Sequence, residues 1–420
     1  MLNWRSLLAL FKTDWRKIDR ADVILVCSDS NRFYRYKDTH YAPLVDSIGY
    51  FVRLHGKRCA SISDRISFKV GKTGYDHPHS MNLELVMLKI LKKSLISIGF
   101  NEDRIVKRLC EFETRMWQRI LCQSNAKLVI AIQPDMALCL TCNRADIPVY
   151  DLQHGLISDS PDNPYYYSNR RHVFEPGVLP SGVLCWDNIS TGVLEQSPLF
   201  SHCDIRKIGN PWFIRFAEGA PDDHLVREAA SKLQLDTNKG PIILVTLQYN
   251  LHKYASDYVP EGLMADALRQ VIINNSQYTW LVRLHPSHMH DADRPEVLSY
   301  IEEHFGTMDN VIWDRASKAP IPMLLKLIAL HLTHFSSTTI EASWFGVPTG
   351  LLDPHICPGG KHASFYQKEI QSDMAEVVPL QPKAIEVFIR QRLSKQSNSA
   401  KTQFNQKALN QLLNEYLGAH

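Results

Sequence analysis

Short apolar runs alternate with segments of helical periodicity along this chain, and that alternation constrains the fold more than any other feature. In the first half, two runs predict buried strands that end in polar loops, "ADVILVCSDS" and "AKLVIAIQ". Between them, apolar residues recur at helical spacing in "NLELVMLKILKKSLISIGF" and "RIVKRLCEFETRMWQRILCQ". Two further strand ends follow in "DIPVYDLQHG" and "SGVLCWDN". Strands that alternate with helices predict a parallel sheet covered by helices on both faces.

The same pattern starts again in the second half. Strands are predicted in "PIILVTLQYN", "TWLVRLHP", "NVIWD", "LHLTHFS" and "PTGLLD". Helices are predicted between them, near 262–274, 293–304, 321–330 and 338–345. The chain is therefore predicted to be an α/β protein with two Rossmann-like domains facing a cleft. In such open sheets, ligands bind beyond the carboxyl ends of the strands.

A turn and a polar segment mark the boundary between the two predicted domains. The turn is Gly209-Asn210-Pro211, and the polar segment begins with Pro221-Asp222-Asp223. We predict an N-terminal, acceptor-side domain over residues 1–215 and a nucleotide-donor-binding domain over 216–385. Residues 386–420 are predicted to form a helical tail.

Charge and cysteine content limit the class of protein. The formal net charge of +3 is mildly basic, which neither demands nucleic acid nor excludes anionic ligands or an anionic membrane surface. We predict no nucleic-acid partner. The nine cysteines are scattered and odd in number, which argues for a reducing cytoplasm rather than a disulfide framework. No apolar run reaches the ~18 residues that would span a bilayer.

The N-terminal segment "MLNWRSLLALFKTDWRK" mixes apolar and basic residues and lacks a signal-peptide cleavage site. Two interpretations of this segment stay open. It is either a helix packed on its own protein or a short amphipathic helix that touches the inner face of the cytoplasmic membrane.

Two histidines follow predicted strands, where an open sheet presents its ligands. His154 and Gly155 come directly after "PVYDL"; the glycine permits a tight turn or the close approach of a ligand, and the histidine suits a base. His285 and Pro286 end the run "TWLVRL", because proline has no backbone donor for a central strand. Histidine is well suited to meet a ligand oxygen near neutral pH.

A run of hydroxyl side chains follows a third strand and precedes a helix. Hydroxyls and free backbone donors at a helix start form an anion site. A structural N-cap needs only one such residue, so the run favours a phosphate site at Ser336, Ser337, Thr338 and Thr339. Glu341 lies in the first turn and suits a ribose diol, although the helix dipole alone would also favour an acid there.

Neither a metal nor a cofactor is predicted. His355, Cys357 and His362 are metal-ligand types without a second ligand cluster. The acceptor-side candidates Tyr165, Tyr166 and Arg170 lie in "SPDNPYYYSNRRH", where aromatic faces would stack on sugars and arginine would meet acidic groups. A plain surface loop explains that segment equally well.

The pattern "SSTTIEASWFGVP" in the second of two Rossmann-like domains resembles the nucleotide-binding helix of GT-B glycosyltransferases. With its His-Pro and Ser-Ser pairs, the chain is similar to bacterial capsule and surface-polysaccharide transferases. That group includes polysialyltransferase-like enzymes and teichoic-acid glycerophosphotransferases. The resemblance implies that His285-Pro286 and Ser336-Ser337 hold the donor nucleotide and its phosphate. It also implies that His154 of "QHG" is the acceptor-side base. Where sialyltransferase-like families have an acidic pair before glycine, this chain has Gln153-His154, which weakens a sialic-acid assignment.

The resulting hypothesis is a metal-independent glycosyltransferase that moves a sugar from a nucleotide-activated donor to a growing capsule or lipopolysaccharide glycan, free or lipid-linked. A UDP-sugar 2-epimerase is expected to carry "D-S-G-G-x-Q-E-E" where this chain has "FSSTTIEA", which argues against that activity. A CDP-polyol phosphotransferase of the teichoic-acid-polymerase type would use the same His-Pro and hydroxyl residues, so this alternative stays open. A catalytically silent GT-B scaffold in capsule assembly is the third alternative. The presence of His154, His285 and Ser336-Ser337 argues against it, because a silent module need not keep all three.

Overall fold

The computed structural model describes residues 8–155, 157, 177–217, 222–235, 240–259, 262–289, 294–395 and 406–418. Its contacts divide the chain into two units. The first comprises Met1–Glu218 together with Phe404–His420, and the second comprises Gly219–Gln403. For comparison, the domain boundaries predicted from the sequence lie at 215/216 and 385/386.

The first unit is built on a parallel sheet, with a small antiparallel hairpin beside it. Its strands are β1 (Val23–Val26), β2 (Tyr34–Tyr36), β3 (Thr39–Tyr41), β4 (Cys59–Ser63), β5 (His79–Ser80), β6 (Leu128–Ala131), β7 (Val149–Leu152), β8 (Gly182–Cys185) and β9 (Asp204–Lys207). Seven of them form one sheet in the order β5-β4-β1-β6-β7-β8-β9, with every neighbouring pair parallel. The hairpin consists of β2 and β3. The central strands β1, β6 and β7 are buried along their whole length, as both faces of a covered parallel sheet require.

Helices cover this sheet, and several begin at side-chain caps that the sequence supplies. They are α1 (Pro43–Leu54), α2 (Asn82–Ser97), α3 (Glu102–Ser124), α4 (Met136–Arg144), α5 (Asn188–Glu195) and α6 (Pro211–Ala217). Asn101, Asp135 and Asp187 each accept a backbone N–H of the following helix, which satisfies one otherwise unpaired donor. Asn125 ends α3 in the left-handed conformation, which asparagine tolerates well.

The second unit repeats the design with six parallel strands. They are β10 (Ile242–Thr246), β11 (Thr279–Arg283), β12 (Val311–Ile312), β13 (Leu330–Thr333), β14 (Thr349–Leu351) and β15 (Ala375–Val377), in the sheet order β12-β11-β10-β13-β14-β15. Its helices are α7 (His224–Leu233), α8 (Leu251–Tyr254), α9 (Asp266–Asn274), α10 (Arg294–Phe305), α11 (Asp314–Lys318), α12 (Ile321–Leu327), α13 (Thr338–Trp344), α14 (Gln367–Gln371) and α15 (Pro382–Ser394).

The last helix, α16 (Lys407–Leu417), belongs to the first unit. Its apolar face enters the core beside β7 through Leu409, Leu412, Leu413 and Leu417. The hydroxyl oxygens of Tyr416 and Tyr150 lie 2.8 Å apart, and Arg206 on β9 forms an ion pair with Glu415. The first unit is therefore assembled from both ends of the described chain.

The predicted α/β class with two Rossmann-like parallel sheets is confirmed. Strand β4, which the sequence analysis missed, has the sequence "CASIS" and buries Ser61 and Ser63 instead of an apolar run. Cys139 and Cys142 pack in the core on one face of α4. Among the described residues, no helix combines the length and the apolar character that crossing a membrane requires.

Candidate functional site

His285 lies just past the end of β11, on the exposed carboxyl edge of the second unit's sheet. Trp280, Leu281 and Val282 are fully buried in the strand, and Pro286 then starts a short 3₁₀ turn. The backbone N–H of Ser287 donates to Nδ1 of His285 at 3.1 Å. A neutral His285 ring therefore carries its proton on Nε2. Partial burial and the charge of Arg283 lower the pKa of His285, which favours that neutral form.

Two more rings stand beside His285 and were not predicted. Tyr249, which follows β10, stacks on His285 with ring centroids 6.0 Å apart and planes at 29°. His288 lies 5.4 Å from Tyr249 and 6.2 Å from His285, measured between ring centroids. These contacts join Tyr249, which follows β10, to His285 and His288, which follow the neighbouring strand β11. Only the polar end of "LQYN" after an apolar strand could have indicated Tyr249 from the sequence.

The four hydroxyl residues between β13 and α13 have different surroundings. Ser336 Oγ accepts the backbone N–H of Thr338 at 3.3 Å, so Ser336 partly caps the helix. Ser337 is exposed, whereas Thr338 and Thr339 are buried. Helix α13 has only seven residues, so its dipole is small. The backbone N–H groups of Thr339 and Ile340 already donate to the carbonyl oxygens of Ser336 and Ser337, and the Ser336 hydroxyl donates to Thr338 Oγ1 at 3.2 Å. The exposed Ser337 hydroxyl is therefore the donor of this segment best placed to meet an anion.

Glu341 lies in the first turn of α13 and is half-buried. Burial raises the pKa of Glu341 to about 7, while the nearby Arg283 and a hydrogen bond with Thr338 partly offset that effect. Because β10 separates β11 from β13 in the sheet, their carboxyl ends are about 10 Å apart.

Two histidine–carboxylate pairs stand on the same edge after β14. Asp353 is fully buried, and its Oδ2 lies 2.5 Å from Nδ1 of His362. His355 donates its backbone N–H to Asp353 and pairs through Nε2 with Asp257 Oδ2 at 2.8 Å. The His362 ring packs on Phe335, the residue before Ser336, with centroids 5.4 Å apart. The sequence offers His355 and His362 only as metal-ligand types, and no group of three metal-ligating side chains occurs in the described parts of the chain.

His154 lies on the carboxyl edge of the first unit's sheet, directly after β7. The preceding Gln153 is buried and fixes the loop. Its Oε1 accepts the N–H of Trp186 at 2.7 Å, and its Nε2 donates to Gly155 O at 2.9 Å and to Ser190 Oγ at 3.0 Å. The His154 ring reaches solvent, and desolvation by neighbouring atoms together with the charge of Arg65 lowers its pKa. A neutral imidazole with a lowered pKa can accept a proton near neutral pH.

Gly155 does not occupy a turn that requires glycine, which corrects one of the two expectations for it. Its φ lies outside the left-handed region, and a Cβ there would meet no described atom within 4 Å. The open space leaves the close approach of a ligand as its expected use. The acceptor-side candidates Tyr165, Tyr166 and Arg170 lie outside the described residues.

The structure thus groups most of the predicted site residues on one sheet edge. His285, Pro286, Ser336, Ser337, Thr338 and Glu341 belong to the second unit, and His154 with Gly155 belongs to the first. The residues that the sequence analysis missed are Tyr249, His288, Arg283 and the pairs made by Asp353 and Asp257.

No protein-family model matches this chain, and no curated protein sequence matches it. Several solved structures are similar over almost the whole chain. The UDP-GlcNAc 2-epimerase of Methanocaldococcus jannaschii is 13% identical, with a TM-score of 0.57 and coverage of 94% of this chain and 98% of that one. The UDP-GlcNAc 2-epimerase of Neisseria meningitidis, solved with UDP-GlcNAc, is also 13% identical, with a TM-score of 0.52 over 94% and 98% of the two chains.

The wall teichoic acid polymerase TagF is 12% identical to this chain, with a TM-score of 0.53 over 98% of this chain and 88% of that one. At such identities the likeness establishes the fold and leaves the activity open. This chain has the fold of the GT-B-like epimerases and of the teichoic acid polymerase.

Proposed function

We propose that this protein is a GT-B glycosyltransferase that moves a sugar from a nucleotide-activated donor to a bacterial surface glycan. One observation carries the proposal: His285, with its proton on Nε2, shares a sheet edge with Ser336 and Ser337. This set supplies hydrogen-bond donors and no fixed negative charge, which suits the phosphate of a nucleotide.

On the donor side, the phosphate oxygens accept hydrogen bonds from Nε2–H of His285 and from the hydroxyls of Ser336 and Ser337. Pro286 and Thr338 shape the two segments that present these donors. Donors placed where negative charge develops stabilise the departing nucleotide phosphate. Glu341, with its pKa near 7, binds a ribose diol as either acceptor or donor. In this scheme the charge of the leaving group is met by protein donors, and no metal or cofactor is invoked.

On the acceptor side, His154 acts as the base. Its neutral ring takes the proton of the acceptor hydroxyl while the hydroxyl oxygen forms a bond to the anomeric carbon. The bond from that carbon to the phosphate oxygen breaks, and the electron pair leaves with the nucleotide. Gly155 leaves room for the acceptor, and Tyr165, Tyr166 and Arg170 remain proposed contacts to it.

The acceptor is proposed to be a capsule or lipopolysaccharide glycan, free or lipid-linked. We place the protein in the cytoplasm, in peripheral contact with the inner face of the membrane. The near balance of 47 basic and 44 acidic residues supports a partner other than nucleic acid.

Transfer of a polyol phosphate from a CDP-activated donor is the second candidate. It is supported by the likeness to the teichoic acid polymerase TagF and by the same set of phosphate-binding donors. There the acceptor oxygen attacks phosphorus instead of carbon, and CMP leaves.

The experiment is a thermal-shift screen of the purified protein with CMP, CDP, UDP, GDP, their sugars and CDP-glycerol. At about ten times Kd, one nucleotide family is expected to raise Tm by about 3–6 °C. The shift should vanish in His285→Ala and persist in His224→Ala, an exposed histidine on α7 of the same unit.

The outcomes separate the candidates. A shift with CDP-glycerol that exceeds every sugar nucleotide favours polyol phosphate transfer. A shift with UDP-GlcNAc, followed by conversion to its 2-epimer, would restore the epimerase that the sequence argued against. No shift with any nucleotide, in a folded protein, would leave the silent scaffold and overturn the proposal.

A further inference from the structure

Helix α2 carries an apolar stripe that faces water instead of the core. Met87, Ile90 and Leu91 are 61%, 60% and 46% exposed, at the spacing of one helical face. The buried residues of α2 are Asn82, Glu84 and Leu88. A surface helix of a globular protein normally shows the reverse arrangement, with its apolar stripe inward.

The stripe continues into the connection between α2 and α3. Ile98 is 69% exposed and Phe100 is 59% exposed, on either side of Gly99 with its positive φ. Of the seventeen large apolar side chains that are exposed among the described residues, six fall between positions 87 and 100. Scattered exposed apolar residues are normal, but such a concentration marks an interaction site. We call Met87, Ile90, Leu91, Ile98 and Phe100 the α2–α3 apolar surface.

The N-terminal segment adds two residues next to the start of α2. Ala9 O accepts the side-chain N–H of Asn82 at 2.8 Å, and Lys12 O accepts the backbone N–H of Leu83 at 3.1 Å. These bonds hold the segment against α2 while Leu8 and Phe11 stay exposed. The described part of the segment from Leu8 to Lys12 is therefore packed on its own protein and still presents apolar side chains outward.

Basic residues flank the α2–α3 apolar surface. Between residues 89 and 108 there are six basic side chains and two acidic ones, Glu102 and Asp103, which gives a net charge of +4. The whole chain has a net charge of only +3, so the residues outside this segment sum to a net charge of −1. One basic residue is neutralised locally, because Lys92 pairs with Glu102 at 3.1 Å. The basic residues are Lys89, Lys92, Lys93, Arg104, Lys107 and Arg108.

We propose that the α2–α3 apolar surface docks on an anionic lipid bilayer. Apolar side chains enter the boundary between headgroups and acyl chains, and the flanking cations meet anionic headgroups. A second copy of this chain fits less well, because its own basic flank would face a like charge. This inference rests on the membrane-peripheral location proposed above and names the surface and the lipid chemistry. It does not depend on which nucleotide binds.

The test is flotation of the full chain, without nucleotide, with vesicles of phosphatidylglycerol and phosphatidylcholine in equal parts or of phosphatidylcholine alone. The wild type is expected to float with the anionic vesicles and to stay behind with phosphatidylcholine alone. Ile98→Ser/Phe100→Ser should lower partitioning at least about tenfold, since two large apolar side chains no longer enter the bilayer. Ile273→Ser/Leu327→Ser removes two exposed apolar residues from α9 and α12 and should leave partitioning unchanged.

Replacement of Lys89, Lys92 and Lys93 by Gln should weaken flotation and make it less sensitive to salt. Failure of the wild type to float with anionic vesicles would overturn the proposal, as would equal flotation of the Ile98→Ser/Phe100→Ser variant. A dimer in sedimentation that these two substitutions dissociate would assign the surface to a second copy instead. If the wild type does not float with anionic vesicles but a nucleotide raises its Tm, the membrane surface is rejected and the transferase proposal stands.

Discussion

The carboxyl edges of the two sheets differ in how their polar residues are held. On the second unit's edge, side chains from different strands contact one another: Tyr249 stacks on His285, and Asp353 binds His362. On the first unit's edge, the buried Gln153 fixes the backbone of the loop, and His154 reaches solvent. A preorganised set of donors suits the binding of a ligand that is always the same, such as a nucleotide. An exposed base beside open space suits a larger and more variable acceptor.

The largest expected effect tests whether the first edge performs the chemistry. His154→Asn should lower the transfer rate by about 10²–10⁴-fold, because the proposed general base is lost. The nucleotide thermal shift should remain, since the proposed donor site lies on the second edge. Product formation is measured with the donor that the screen identifies, with His202→Asn as an exposed-histidine control in the same unit. A variant that retains full activity would show that His154 is not the base.

The next effect concerns the rigidity of the second edge. Asp353→Ala should lower the free energy of unfolding by about 2–4 kcal/mol, because it leaves His362 and the His355 N–H without their buried partner. Asp373→Ala removes a carboxylate that is 69% exposed and should cost less than about 1 kcal/mol. Urea unfolding of both variants measures the difference. Equal losses would mean that the Asp353 network does not hold this edge together.

A pH-dependent effect is expected at Glu341. Its pKa is raised from 4.5 to about 7 in the folded protein, so the folded state holds the proton over a range where the unfolded chain has lost it. The stabilisation from this proton is present below the ordinary pKa and is lost as pH rises toward 7. Glu341→Gln should therefore gain about 2 kcal/mol relative to the wild type between about pH 5 and about pH 8. Parallel stability curves for the two proteins would contradict a raised pKa.

The smallest effect tests the openness of the first edge. Gly155→Ala should change the free energy of unfolding by less than about 0.5 kcal/mol, because no described atom meets the new methyl group. Gly209→Ala is the control, since φ there is +80° and its Cβ would lie 3.1 Å from Ile214 Cδ1. That control should lose about 1–2 kcal/mol. If Gly155→Ala abolishes transfer without destabilising the protein, the acceptor must approach at this position.

The features of the fold and site that could be predicted are those determined by residues close together in the sequence. His285 could be predicted because the apolar run and the proline that ends it are adjacent. Strand β4 could not, because its burial depends on a distant partner: Ser61 accepts a hydrogen bond from the fully buried Arg32. Periodicity gave no sign of that contact.

The side-chain contacts on the second unit's edge could not be predicted for the same reason. The sequence offered His355 and His362 as ligand types, but it could not show that each pairs with a different carboxylate. Asp257 is nearly a hundred positions away from His355, so only the folded sheet brings them together. Tyr249 likewise meets His285 across two neighbouring strands.

The return of α16 to the first unit has a consequence for synthesis of the chain on the ribosome. The second unit is continuous in sequence and can complete its core as soon as it has emerged. The first unit, although translated earlier, lacks Leu409, Leu412, Leu413 and Leu417 until the end of α16 leaves the exit tunnel. A domain that must wait for its last helix exposes apolar surface in the meantime. The unit that is made first is therefore the unit whose core is completed last.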